Sequence, residues 1–361
     1  MKIGIFGLPQ SGKTTVFRVL VGPGHSPARD AHGEAQTAVL KLPDDRLPLL
    51  TEVYQPKKTT PAEITLVDTV ALRKGHADAK QAESLTDLLG DADAFALVLR
   101  CFDLADETEP SGAPREDLDT LLLELALTDL AILERRLGRL DRDLRSGKKE
   151  AAAEHERLTR CCAHLEAGGL LRALSFSDEE QRALRGFAFL TMKPMLVIAN
   201  TGEDLAGEHP LGEGGRLASL GEACARLGLS AIAFCAELEA EIEELSPEEQ
   251  QVFLSDYGIE EPGRDRFLKA CFDLLGLVTF FTANGNEVRA WTIPAGSTAL
   301  AAAGKVHSDM VRGFIRAEVI SYDHLRLAGT PAECRKRGTA RLEGKEYAVR
   351  DGDILLIRFS A

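Results

Sequence analysis

The chain has 361 residues, of which 44% are apolar, enough to bury a sizeable core and to divide into two or three domains. A formal net charge of -14 excludes a protein that coats nucleic acid or anionic lipid over its whole surface, because like charge repels it. The seven cysteines (Cys101, Cys161, Cys162, Cys224, Cys235, Cys271 and Cys334) form no CxxC pair and stand mostly in apolar runs, the pattern of reduced thiols. No apolar stretch approaches the roughly 20 residues needed to span a bilayer, and MKIGIFGLP is too short and glycine-rich for a secretory signal. The expected location is the cytoplasm, without membrane attachment.

The first element, Lys2 to Phe6, reads as a short buried strand; a glycine-containing loop follows, then an amphipathic helix carrying Val16, Phe17, Val19 and Leu20. Gly7 and Gly12, with Lys13 and Thr14, complete the GxxxxGK[ST] spacing in its strand-loop-helix context. Backbone N–H groups there can wrap phosphate oxygens at a helix N-terminus. The expected nucleotide contacts are Gly7, Pro9, Gln10, Ser11, Gly12, Lys13, Thr14 and Thr15. Lys13 would neutralise the β- and γ-phosphates, and Thr14 would offer a hydroxyl to Mg²⁺. The alternative, an incidental glycine turn, does not account for the full motif in that context.

A second strand, Ile64 to Val67, ends in Asp68. A carboxylate at the C-terminal end of such a strand points at the ligand crevice of an α/β sheet, so Asp68 is the candidate partner of the Mg²⁺ water shell; the plainer reading is a turn or capping aspartate. Further buried strands are expected at Ala94 to Phe102, at MLVIAN and at Ser230 to Cys235. Separated by helical segments, they imply a mostly parallel sheet. In MLVIANTGEDL the positions of a guanine-reading NKxD motif are Asn200, Thr201, Gly202 and Glu203. The added methylene of Glu203 moves its carboxylate by more than about an ångström, which spoils a bidentate fit to guanine. Asn200 is expected to pair with the adenine edge beside the Thr201 backbone, and an ordinary strand-to-helix turn is the alternative.

The P-loop, the Asp68 strand, NTGED, and RAWTIPAGS, AAGKVHSDM, GFIRAEVI and DGDILLIRF in this order resemble the Obg-like ATPases of the YchF type over nearly the whole length. The resemblance implies an α/β P-loop NTPase G domain with a mostly parallel sheet, an inserted antiparallel coiled-coil domain, and a C-terminal β-grasp, ubiquitin-like TGS domain. It also implies ATP in preference to GTP, and a ribosome (large-subunit) or RNA partner met through the helical arm and the TGS domain by a monomer. Cys235 and Ala236 match the small-residue loop near the base. The family's DxAG reads Asp68-Thr69-Val70-Ala71 here, and Leu72, which cannot orient water, follows at a place where a hydrophobic residue is the family's hallmark. His32 stands at about the place of a Mg²⁺-linked threonine, with Thr37 nearby at a different position. ADAKQAESLTDLL lacks the family's glycine-rich switch, and the acidic loop after Phe102 has no histidine to serve as general base.

Between Leu118 and Leu144, leucines at 118, 122, 125, 130, 133, 137, 140 and 144 read as a coiled-coil seam. RSGKKE supplies a turn, and a helix carrying Leu158, Cys162 and Leu165 returns antiparallel. A capping box from Ser177 to Glu180 starts another helix. From Gly276 onward twelve Lys and Arg face nine Asp and Glu, so the last module is mildly basic within an acidic chain. TFFTA, EVRAWTI, GFIRAEVI and DILLIRF read as its strands, and Thr298 to Met310 as its single helix. Arg335, Lys336, Arg337 and Arg341 form a cluster that either meets RNA phosphates or is simply solvated. Trp291 reads as core, and the histidines show no metal-ligand spacing. The expected domains are 1–113 and 191–275 (G domain), 114–190 (helical insertion) and 276–361 (TGS). The leading expectation is a Mg²⁺-dependent ATP hydrolase coupled to a ribosome-like partner; a nucleotide-binding module without useful turnover and a GTPase are the alternatives.

Overall fold

The structure is a computed structural model that describes residues 1–22, 28–29, 36–69, 89–103 and 114–360. His32, Val70, Ala71, Leu72, the 73–88 segment and the 104–113 loop lie outside the described residues. The strands are β1 (Lys2–Gly7), β2 (Ala28–Arg29), β3 (Gln36–Leu42), β4 (Lys58–Thr60), β5 (Ala62–Asp68), β6 (Ala94–Cys101), β7 (Met195–Thr201), β8 (Ser230–Phe234), β9 (Leu277–Ala283), β10 (Glu287–Pro294), β11 (Phe314–Ser321), β12 (Arg341–Glu343) and β13 (Asp353–Phe359). Two compact units result: Lys2–Ala38 with Thr65–Ala270, and Met1 with Val39–Ile64 and Cys271–Ala361.

The first sheet has the order β2-β3-β5-β1-β6-β7-β8. From β5 through β1, β6 and β7 to β8 every pairing is parallel, while β2 and β3 are antiparallel. Strands covered by helices on both faces are apolar without alternation. Accordingly every residue of β7, and Ala94 to Leu99 of β6, is buried. Phe6 and Phe95 meet edge to face across β1 and β6, with ring centroids 4.9 Å apart.

The helical insertion departs from a simple seam. One helix runs Pro114–Arg145, about 48 Å at 1.5 Å per residue. Its first half, Leu118, Leu121, Leu122 and Leu125, packs into the core of the parallel sheet with Leu97, Leu99 and Val197. Only the second half, through Leu133 and Leu140, meets the returning helix Ala152–Glu166 at Leu158, Cys161 and Leu165. The leucine spacing is the same in both halves because an amphipathic stripe records burial and does not say against what. The Ser177–Glu180 capping box forms as expected and opens the helix Asp178–Leu184.

Asp129 sits where the two halves meet. Its carboxylate accepts hydrogen bonds from the backbone N–H groups of Leu190 and Thr191, both at 2.8 Å, and from the Thr191 hydroxyl at 2.6 Å. Burial still pushes its carboxyl up to about 6. Lys193, two residues on, donates to the carbonyls of Leu89, Gly90 and Ala92 at 3.0, 2.7 and 2.6 Å. The chain thus enters β7 from a turn held on both sides.

The second sheet has the order β12-β11-β13-β9-β10-β4. β9 and β10 form an antiparallel hairpin, β13 lies parallel to β9 and antiparallel to β11, and Ala299, Ala302 and Ala303 of the helix Ala299–Val306 pack on Phe280, Ile293, Ala317, Val319 and Leu355. A parallel pair crossed by one helix is the β-grasp arrangement. The helix expected from Thr298 to Met310 is two, because His307 is extended (φ -161°, ψ 141°) and begins a second helix, Ser308–Arg312. Trp291 packs on Phe280 and donates from Nε1 to the Thr282 hydroxyl at 2.9 Å.

Within the expected 1–113 segment, Val39–Ile64 groups with this second unit. β4 adds to β10 as a parallel edge strand, pairing Lys58, Thr59 and Thr60 with Glu287, Val288 and Arg289. The Thr60 hydroxyl donates to the Glu287 carboxylate at 2.6 Å. Arg46, at the start of the helix Leu47–Tyr54, donates to Asp351 at 2.6 Å and lies 5.0 Å above the Phe281 ring.

Candidate functional site

The carboxyl ends of β5, β1, β7 and β8 converge on the loop Leu8–Gly12, at the place where ligands bind parallel α/β sheets. The loop needs left-handed backbone twice. Gln10 has φ 65° and Gly12 has φ 77°. Glycine accepts this at no steric cost, whereas glutamine does so at about 1 kcal/mol. Glycine is needed at the second position for space as well, since a Cβ there would collide with the Asn200 amide, and one on Gly7 would collide with the Ser11 hydroxyl.

No side chain caps the first turn of the helix Lys13–Val21, so its leading N–H groups are left for a ligand. Lys13 is buried, and its ammonium donates to the Asp68 carboxylate and to the Thr69 carbonyl. Thr69 is itself fixed by its hydroxyl, which donates to the Ile5 carbonyl at 2.8 Å. Thr14 is exposed beside this pair. The two residues expected to handle phosphate charge and Mg²⁺ are therefore brought together.

Asn200, next to last in β7, ties three segments. Its Nδ2 donates to the Ser11 carbonyl at 3.1 Å, and its Oδ1 accepts from the Ala236 N–H at 3.1 Å. With one hydrogen bond made at each end, the amide keeps a second N–H on Nδ2 and a second lone pair on Oδ1 for a ligand. Thr201, the next residue, is buried at the end of β7.

Glu203 is exposed in the short turn Glu203–Leu205. Burial raises the Cys235 thiol, and the neighbouring Glu203 charge adds to that rise, so the two share one surrounding. Asp204 pairs instead with Arg216.

Phe102 was missed in the sequence. Its ring edge would lie 3.6 Å from a methyl group on Gly12, and its Cβ 3.7 Å from one on Gly202. An aromatic residue immediately after β6 was the available signal.

The donor set fits a nucleotide triphosphate. A cradle that Cβ atoms would fill, an uncapped helix start and a buried Ser11 hydroxyl that has no partner among the described residues are all features a bound anion would explain. Among the described residues no group of three or more His, Cys, Asp or Glu is placed to hold a metal ion. Mg²⁺ would therefore depend on phosphate oxygens beside Thr14 and Asp68.

The family model YchF-GTPase_C, described as a protein of unknown function (DUF933), matches residues 277–360. Over 367 aligned residues the chain is 39% identical to the ribosome-binding ATPase YchF of Escherichia coli O157:H7, covering 99% of each chain. The chain belongs to the YchF family. It is 38% identical to the ribosome-binding ATPase YchF of Bacillus subtilis (strain 168) over 365 residues, 99% of this chain and 98% of that one. The structure of the Schizosaccharomyces pombe YchF GTPase superposes with a TM-score of 0.79 at 24% identity, over 99% of this chain and 97% of that one, and shares the YchF fold. Among the described residues no helix is long and apolar enough to cross a membrane.

Proposed function

We propose that this YchF-family chain binds and slowly hydrolyses ATP with Mg²⁺ and couples its nucleotide state to ribosome association. The observation that carries the reading is the buried Lys13–Asp68 pair at an uncapped helix start, in a chain whose full-length relatives are named ribosome-binding ATPases. A triphosphate in the cradle offers Lys13 a stronger partner than Asp68. The flexible ammonium trades one for the other, and Asp68 is released to act with Thr14 toward the metal. When bound, Mg²⁺ supplies charge neutralisation at the phosphate oxygens. Turnover is slow in this reading, because Ala71 replaces the glycine of DxAG and Leu72 has no group to orient water.

Residues 114–190 and 276–361 serve as partner surfaces of a cytoplasmic monomer. All four expected phosphate-binding cations of the second surface have carboxylates close by: Arg335 donates to Glu318 at 2.6 Å, Arg337 to Glu333 at 2.8 Å, Arg341 stands 3.4 Å from Glu343, and Lys336 stands 4.0 Å from Glu333. An RNA phosphate would have to compete with these groups.

The test is calorimetric titration of nucleotide-free protein with non-hydrolysable ATP and GTP analogues, each with Mg²⁺, in the parent and in Lys13→Ala. The expected result is tighter binding of the adenine analogue and its loss in Lys13→Ala. Preference for the guanine analogue would favour the GTPase reading suggested by the name of the fission-yeast relative. Parental affinity in Lys13→Ala would sink the site itself.

A further inference from the structure

From residue 227 to residue 263 the chain has ten Asp and Glu and no Lys, Arg or His. Among the described residues only two of the ten have a cation within 4 Å: Glu239 with Arg266 and Glu261 with Lys269. Most of the others are exposed. In the middle of this stretch stands the helix Pro247–Asp256, which has no buried residue. Val252 and Phe253 are 57% and 43% exposed. Helical spacing puts Glu248 and Glu249 one turn before them and Asp256 one turn after, so two apolar side chains are bracketed by acids along one face. Leu254 and the C-terminal Tyr257 are committed instead to a core, packing on Cys235, Leu238, Ile242 and Ile259.

We propose that the outer face of the helix Pro247–Asp256 docks a basic amphipathic polypeptide segment, one whose Lys and Arg residues flank an aliphatic or aromatic anchor seated on Val252 and Phe253. The charge chooses the occupant. Nucleic-acid phosphates and anionic lipid are repelled by the acids. A second copy in a two-fold contact would set acid against acid. A basic segment brings complementary potential to a rim around an apolar centre, the usual anatomy of a specific interface. The docked face is one layer from the Cys235 turn through Leu254 and Tyr257, yet binding here requires no nucleotide, so the proposal stands or falls apart from the ATP reading.

Fluorescence anisotropy with the full chain tests it, using as probe a labelled helical peptide of about 18 residues with leucine on one face and lysine elsewhere, and a same-charge peptide with serine for leucine. At about 0.15 M salt the Leu/Lys peptide should bind at least about tenfold more tightly than the Lys/Ser peptide. The same margin should be lost in V252S/F253S and, independently, in E248K/D256K; Glu249 is kept because it closes a capping box with Ser246. Amide exchange should show protection at 247–257. If V252S/F253S fails to fold, the charge-reversed pair decides, since it leaves the packed side untouched. Parental affinity in the folded variants, protection elsewhere, or tighter binding of a single-stranded RNA oligonucleotide to this face would overturn the proposal.

Discussion

Asp68 of the phosphate site and Glu318 of the C-terminal sheet are equally buried, at 6% and 5% exposure, and each is held by cations. They are built for different ends. Asp68 has one ammonium on a flexible stem, and that stem stands at the first position of the helix whose start would meet a triphosphate. Glu318 has two guanidinium groups, Arg335 at 2.6 Å and Arg358 at 2.7 Å, each engaging a different oxygen. Burial works against the Glu318 charge, but the two arginines outweigh it and hold the carboxyl below its ordinary range. A single point charge can be exchanged, whereas two planar forks fix a position. The comparison separates a carboxylate kept ready from one kept still.

Paired substitutions break this comparison most directly. Asp68→Asn should lower Mg²⁺-dependent phosphate release by about 100-fold or more while leaving the melting temperature nearly unchanged. Glu318→Gln should keep turnover within about twofold and cost about 1 to 2 kcal/mol of stability, discounted for the exposed arginines. A turnover defect in Glu318→Gln, or a stability defect alone in Asp68→Asn, would reverse the two roles.

Glu239 is a third buried carboxylate, with a fixed backbone donor, the Gly263 N–H at 2.6 Å, but a looser cation, Arg266 at 3.5 Å. Here burial wins and raises the carboxyl from 4.5 to about 7. The native state then keeps a proton that the unfolded chain releases between those values, so stability falls as pH rises through the window. Glu239→Gln should melt higher than the parent at pH 8, by up to about 3 kcal/mol, and the difference should close by about pH 4. A pH-independent difference would place the effect in packing. The smallest expected change belongs to an exposed acid whose partner is backbone: removing the other half of its capping box, Ser177→Ala, should cost about 1 kcal/mol in thermal melting.

The P-loop, the Asp68 strand, Asn200 and the Ser177 box were legible because each is a local pattern whose physics is complete within a few residues. What was not legible depends on partners distant in sequence. The stripe from Leu118 to Leu144 gave the helix but not that its first half faces the sheet. Asn200 stood out as the end of an apolar run, yet its bonds to Ser11 and Ala236 come from chain segments 189 and 36 residues away. The arginine cluster showed charge but not the carboxylates beside it, and β4 is only three residues long, too short for any periodicity to register.

That short strand bears on how the protein is made. β4 leaves the ribosome more than two hundred residues before β10, the strand it pairs with, as the 227-residue separation of Thr60 and Glu287 shows. During vectorial synthesis it must wait as an unpartnered edge until nearly the whole chain has emerged. Such long-range closure is slow and exposes an open edge meanwhile. Truncation near residue 277 therefore strands β4, and a fragment beginning there starts life one strand short.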